Sequence, residues 1–325
     1  MSDVNDADPY IRPEVARFLE ALLARPRPPM TDAGIRMIRQ IPPEMMAQMV
    51  QEIDLPVGPL AQDRSVTIPG PAGDLPARLF DARSERGPGP VAVFFHGGGF
   101  VLGSVASHAA LAAEIARQLD CPVISVEYRL APEHPWPAAP DDAEAAARWI
   151  AANGAELGLQ VTGLVLAGDS AGGTLTLVTG LALRDRPAAV PLRLLLPIYP
   201  MADAARPYPS QTRFADGYGL STEEMVYFNA AYAADPCSPR HSALQADLAG
   251  LPPTVVATAS LDPLRDGGRA LAGALAAAGV PVAFHEAVGS IHGYATYRRG
   301  IPSAGRDLDA VLGLARTLLG QSAAD

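Results

Sequence analysis

The sequence predicts an α/β protein: a mostly parallel sheet with helices on both faces. From about residue 64, short apolar runs alternate with longer stretches of helical spacing, the pattern of successive strand–helix units. The run at 91–95 is wholly apolar, as expected for a strand covered on both sides. No long Gly/Ser linker and no repeat divides the 325 residues, a length suited to one large domain or two ordinary ones.

The region before this alternation reads as helices packed on the main body. Val15, Phe18, Leu19, Leu22 and Leu23 fall at helical spacing, and Pro26-Arg27-Pro28-Pro29 stops that helix. A second helical stretch, 43–52, carries three Met residues, and no strand is expected before about residue 64. Residues 65–69 and 75–80 form a hairpin across the turn-rich Gly70-Pro71-Ala72-Gly73-Asp74. After strand 91–95 come helix 108–119, with Leu111, Ile115 and Leu119 on one face, and strand 122–126. The Pro-rich stretch 132–140 cannot be helical throughout. Helix 141–153, strand 164–167, helix 171–184 and strand 192–198 follow. Residues 201–234 read as an insertion with a helix at Thr222–Tyr232. Strand 254–258, helix 266–278, strand 281–286 and helix 303–319 close the chain. Three regions result: N-terminal helices at 1–50, a core at 51–200 and 235–325, and the insertion. A doubly wound sheet places its working residues at the carboxyl ends of its strands, so those loops hold the candidates.

Composition narrows the chemistry first. The 25 basic and 35 acidic residues give a formal charge of −10, and every basic residue is Arg. Without Lys there is no Walker A phosphate loop, no Schiff base and no Ser-Lys mechanism. The acidic balance, with no Arg-rich stripe, argues against nucleic acid and against an anionic membrane surface. Cys121 and Cys237 form no C-x-x-C pair, and two free, mostly buried thiols are the simplest reading. MSDVNDADPY at the N-terminus has no apolar core of a secretory signal, and no apolar run is long enough to span a bilayer. A cytoplasmic protein without stable membrane insertion is expected.

Gly168-Asp169-Ser170-Ala171-Gly172 matches G-x-S-x-G between a strand and a helix. Such a turn thrusts the Ser hydroxyl outwards in strained geometry, and glycines on either side let its limbs approach. The helix N-terminus beneath Ser170 favours negative charge. His96-Gly97-Gly98-Gly99-Phe100 follows a strand directly, and its glycines bring backbone N–H groups close to a ligand. A developing oxyanion needs such donors, with the N–H of Ala171 as a further one. His96 is read as orienting this loop. A nucleophilic Ser then needs a base and an acid late in the chain. His285 sits within a strand, whereas His292 lies in Gly289-Ser290-Ile291-His292-Gly293, beyond that strand's end, and is the preferred base. Asp262, ahead of Pro263, is the preferred acid. Asp266 is the runner-up but resembles the N-cap of the next helix. No His pair has H-x-x-x-H spacing and none pairs with Cys, so no metal is expected. Arg298-Arg299 reads as a solvated surface pair.

HGGGF at 96–100, YRLAPEHPWPAAPDD at 128–142, GDSAGG at 168–173, LPP then DPLRD within 251–266, and HGY at 292–294 occur in this order. Together they resemble the bacterial hormone-sensitive-lipase-like carboxylesterases of the α/β-hydrolase fold, in the branch with GDSAG at the elbow. The resemblance covers roughly residues 64–320. It implies an eight-stranded, mostly parallel sheet, a nucleophile at Ser170, an acid at Asp262 and a base at His292. Oxyanion donors carry over to Gly97, Gly98 and Gly99, with Gly98 and Gly99 favoured, and to Ala171. It also implies a helical cap, matching residues 1–50 and 201–234, that restricts substrates to short- and medium-chain acyl esters without any cofactor. Phe100 and the cap residues Phe214, Tyr218, Leu220, Met225 and Phe228 are candidate pocket walls, with buried packing the equal alternative for the cap residues. Pairing of two copies through the last strand, 281–286, would follow by analogy. Two departures stand out: Gly267 follows DPLRD where an acid is usual, and Glu127 precedes YRLAPE where Asp is common. The 128–142 stretch is read as structural, with Arg129 and Glu133 a candidate ion pair. An amidase, peptidase or lactonase would share the triad, because its geometry is indifferent to the leaving group. A hormone receptor on this fold lacks the catalytic His, and the intact HGY motif argues against it.

Overall fold

The computed structural model describes residues 9–25 and 28–321. Most of the acidic N-terminal segment and the Pro26-Arg27 part of the expected helix stop lie outside the described residues. Eight strands form one sheet: β1 (Gln62–Gly70), β2 (Gly73–Asp81), β3 (Gly89–Phe95), β4 (Val123–Val126), β5 (Val161–Asp169), β6 (Leu192–Ile198), β7 (Thr254–Leu261) and β8 (Val282–Ile291). Their order is β1-β2-β4-β3-β5-β6-β7-β8. β2 runs antiparallel to both its neighbours, and every later pairing from β4 to β8 is parallel.

Alternation along the central strands sends side chains to two apolar cores, one per face. Val91, Val93 and Phe95 join Leu164, Leu166 and Leu195 on one face. There α5 (Ala138–Asn153), α6 (Ala171–Asp185) and α9 (Arg265–Ala277) cover them. Ala92, Phe94, Val165, Leu194 and Val255 face the other way, beneath α4 (Ala109–Leu119) and α10 (Pro302–Gln321). Burial on both sides is why these strands are continuously apolar. None of the described helices is long and apolar enough to cross a membrane.

Before the sheet come α1 (Pro13–Leu23), α2 (Asp32–Arg39) and α3 (Pro43–Ile53); between β6 and β7 lie α7 (Pro209–Arg213) and α8 (Thr222–Tyr232). α8 has the expected bounds, and its start is a capping box. Ser221 Oγ accepts from the Glu224 N–H at 3.2 Å, while the Glu224 carboxylate accepts from the Ser221 N–H at 2.7 Å. α2 packs Ile35 into the same core as Phe100 and Val101. Arg39 at its end donates to the carbonyl oxygens of Val101 and Ala131. The N-terminal helices thus hold the loop that leaves β3.

Several expectations are corrected. The strand expected to stop at 286 continues as β8 to Ile291, because β7 offers a partner up to Leu261, which pairs with Ile291 across a register shift. Arg129 pairs with Asp142 at 2.7 Å, whereas Glu133 pairs with Arg39. The fold brings α5 back under Arg129, and Glu133 faces α2 instead. Cys121 is buried but Cys237 is exposed, and both are free. Arg298 is no surface residue: it is 4% exposed and donates through Nε and Nη2 to the Asp54 carboxylate at 2.7 and 2.9 Å. Asp54 ends α3, so this buried pair ties the N-terminal helices to the segment after β8.

Removing one partner of a buried pair leaves an uncompensated charge, at a cost of about 3–5 kcal/mol. Arg298→Ala is therefore expected to lower the urea-unfolding free energy by about that much. An unchanged midpoint would mean that the pair contributes little to stability.

Candidate active site

Ser170 stands between the last residue of β5 and the first of α6, at φ 52° and ψ −118°. A non-glycine residue rarely enters that region, and the surrounding contacts hold it there. The Ser170 N–H donates to Ile198 O at 2.8 Å. Gly172, the second residue of α6, lies against the end of β3: a Cβ there would fall 1.9 Å from Phe95 O. Only glycine permits this approach, which fixes α6, and hence the Ser170 hydroxyl, relative to β3.

Asp262 and His292 each follow the last residue of a strand, and those last residues, Leu261 and Ile291, are paired neighbours. Sheet register therefore sets the two side chains side by side. His292 Nδ1 lies 2.7 Å from Asp262 Oδ2, and its Nε2 lies 2.9 Å from Ser170 Oγ. Asp262 is fully buried, and its other oxygen accepts the Leu264 N–H at 2.8 Å. Burial opposes charge on His292, but the Asp262 carboxylate outweighs it and raises the imidazole pKa above its ordinary value of 6.5. Asp266 is brought to neither. It lies inside the first turn of α9, not at its N-cap, and its carboxylate accepts the Ser210 N–H at 2.9 Å and pairs with Arg265 and Arg269. The β8 residue His285 faces Asp307 at 3.3 Å, away from this cluster.

The loop leaving β3 passes over the elbow. Gly98 has φ 124°, a conformation side-chain-bearing residues rarely adopt, and Phe100 is held at φ 62°. The Gly97 N–H donates to the Asp169 carboxylate at 2.9 Å, so Gly97 is not free as an oxyanion donor. Gly98, Gly99 and Ala171 remain. Asp169 is 3% exposed, with His108 Nε2 3.5 Å away. Burial works against charge on both, yet their mutual attraction lowers the Asp169 pKa and raises that of His108. His96 Nδ1–H donates to Gly97 O at 2.8 Å, and its ring stacks on Tyr128, whose hydroxyl donates to His96 O at 2.7 Å. Burial, then the charge of His108, pushes the His96 pKa down to about 3, so it is a neutral orienting group. Glu127 accepts the Val105 N–H at 2.8 Å, further bracing this loop.

A cavity of about 120 Å³ opens beside Ser170, lined in part by Gly99, Phe100, Ala171, Leu220, Met225 and Phe228. Phe214 and Tyr218 do not line it. Phe214 is fully buried against Tyr218, at 5.1 Å between ring centroids, with the Arg265 guanidinium 5.0 Å from its ring. Sequence reasoning missed the Asp169–His108 pair and His241, which also lines the cavity. Asp169 occupies an unspecified place in G-x-S-x-G, and neither histidine carries a local motif.

A family model for the alpha/beta hydrolase fold matches residues 92–296. Esterase LipI of Mycobacterium tuberculosis is 36% identical over 311 residues, 94% of each chain. The arylesterase of Saccharolobus solfataricus is 32% identical, covering 93% of this chain and 96% of that one. Among solved structures, an esterase from Pyrobaculum calidifontis aligns with a TM-score of 0.84 at 32% identity, covering 96% of this chain and 99% of that one.

Overpacking a closed site costs about 1–3 kcal/mol, and the Gly172 contact is with rigid backbone. Gly172→Ala should lower stability by at least that much in chemical or thermal unfolding. Wild-type stability in this variant would contradict the fixed approach of α6 to β3.

Proposed function

The chain belongs to the α/β-hydrolase family and is a carboxylesterase, and we propose that it cleaves short- to medium-chain acyl esters through Ser170, His292 and Asp262. The observation that carries this reading is the placement of His292 between the Ser170 hydroxyl and the Asp262 carboxylate, at 2.9 and 2.7 Å. Ser170 Oγ attacks the ester carbonyl while His292 Nε2 takes its proton. Asp262 holds the Nδ1–H tautomer and stabilises the imidazolium. Negative charge forming on the carbonyl oxygen meets the N–H groups of Gly98 and Gly99 in the loop after β3 and of Ala171 at the N-terminus of α6. Collapse of this intermediate breaks the C–O bond, and His292 returns the proton to the departing alcohol. The acyl-enzyme is then hydrolysed by water, which gives its proton to His292 in the same manner. Helices α1–α3 and the α7–α8 insertion act as the cap. A cavity of about 120 Å³ favours acyl groups of a few carbons, since pockets for drug-sized ligands measure about 300–1,000 Å³. An intact His292 contact to Ser170 also supports a catalyst over a receptor.

p-Nitrophenyl esters from acetyl to palmitoyl provide the direct test. Turnover should peak below about ten acyl carbons and fall by about 10³-fold or more in Ser170→Ala. Equal turnover in that variant would sink the mechanism, and a peak at palmitoyl would make the protein a lipase. Catalysis needs neutral His292, so kcat/KM should rise with pH along an acid limb centred above 6.5, the ordinary His value. Asp262→Asn should lower kcat by about 10³–10⁴-fold. A larger loss in Asp266→Asn would move the acid to that residue.

A further inference from the structure

Beneath the glycine loop lies a cluster of titratable groups that the triad mechanism does not use. Asp169 immediately precedes Ser170, and its carboxylate is buried. Oδ1 accepts the Gly97 N–H at 2.9 Å, and Oδ2 lies 3.5 Å from the Tyr199 hydroxyl. Both donors are neutral, so neither cancels the carboxylate charge.

His108 does. Its Nε2 lies 3.5 Å from Asp169 Oδ1, and a carboxylate only accepts, so Nε2 carries a proton. Nδ1 lies 2.8 Å from Ser107 Oγ, whose own hydrogen goes to Ser104 O at 3.0 Å. That hydroxyl offers Nδ1 a lone pair, so Nδ1 carries a proton as well. Protons on both nitrogens make the ring an imidazolium. The other groups around it are occupied: His96 is neutral, Glu127 accepts the Val105 N–H, and Asp54 pairs with Arg298. His108 is also the N-cap of α4, where the helix dipole disfavours a cation, so Asp169 is what holds the charge in place.

We propose that His108 is a positioning residue that acts through Asp169, its imidazolium cancelling a buried negative charge against the glycine loop. Charge on the attacked carbonyl oxygen develops in the transition state, so the effect enters kcat. Neither His108 nor Asp169 lines the cavity beside Ser170, so KM stays nearly untouched. With a neutral residue at 108, the Asp169 carboxylate stands uncancelled and repels the forming oxyanion. The same carboxylate also raises the His292 pKa. The inference rests on the Ser170 mechanism and extends it to a group outside the triad and the oxyanion donors.

The test is p-nitrophenyl butyrate kinetics in wild type, His108→Gln and the double variant His108→Gln/Asp169→Asn. In His108→Gln, kcat should fall about tenfold at nearly constant KM, less than the roughly 10²–10³-fold loss expected on removing an oxyanion donor. The acid limb of kcat/KM should move to higher pH, because the uncancelled carboxylate acts more strongly on His292. The Asp169→Asn side chain still accepts the Gly97 N–H but carries no charge. The double variant should therefore regain most of the lost kcat and bring the limb back. An unchanged kcat in His108→Gln, an unmoved limb, or a double variant no better than the single one overturns the assignment. Should His108→Gln fail to fold, nitrogen-15 spectra of histidine-labelled wild type decide, with the His108 signal identified by its loss in the double variant. Two protonated ring nitrogens at neutral pH support the imidazolium, and one overturns it. Wild-type turnover no higher than that of Ser170→Ala would sink the esterase mechanism itself, whereas with turnover intact only the role of His108 is at stake.

Discussion

The approach of Gly172 to the Phe95 carbonyl is the contact on which the rest of the site depends. It clamps the start of α6 to the end of β3, and two functional segments leave from that junction. One is the elbow bearing Ser170; the other is the glycine loop after β3. Asp169 joins them a second time by taking the Gly97 N–H. The Ser170 elbow and the glycine loop are thus parts of one rigid body, and the strained backbone at Ser170 and Phe100 is held by the surrounding packing. In the proposed mechanism, donors preorganised in this way need no rearrangement when charge develops.

Asp262 and His292 reach that body from the other half of the sheet. Pairing of Leu261 with Ile291 aligns Asp262 and His292 without help from any loop. Buried charges around the site come in opposed sets. Asp262 works on His292, and Asp169 on His108, while His96 is kept neutral close to the glycine loop.

Much of this was legible in the sequence because the fold ties chemistry to strand ends. An apolar run followed by G-x-S-x-G, and late Asp and His residues just past two further strands, suffice to place Ser170, Asp262 and His292 near one another. The strands and the helices that flank them were equally readable, since burial on two faces leaves an uninterrupted apolar signature, whereas the short helices α2 and α7 were not expected. What stayed hidden depends on contacts between distant segments. Arg298 looks like any surface arginine until Asp54 is found against it, and Arg129 finds Asp142 in preference to the nearer Glu133. Phe214 was indistinguishable from Leu220 as a pocket wall, because one turn of orientation decides between core and cavity. His241 had no pattern at all around it to draw the eye.

The walls around Ser170 also have separate origins along the chain. The cavity beside Ser170 draws on the loop after β3, on α8 and on the stretch around His241. These segments are far apart in the chain and none is a strand of the sheet. Substitutions can therefore reshape the cavity one wall at a time while the strand ends keep Ser170, Asp262 and His292 in place.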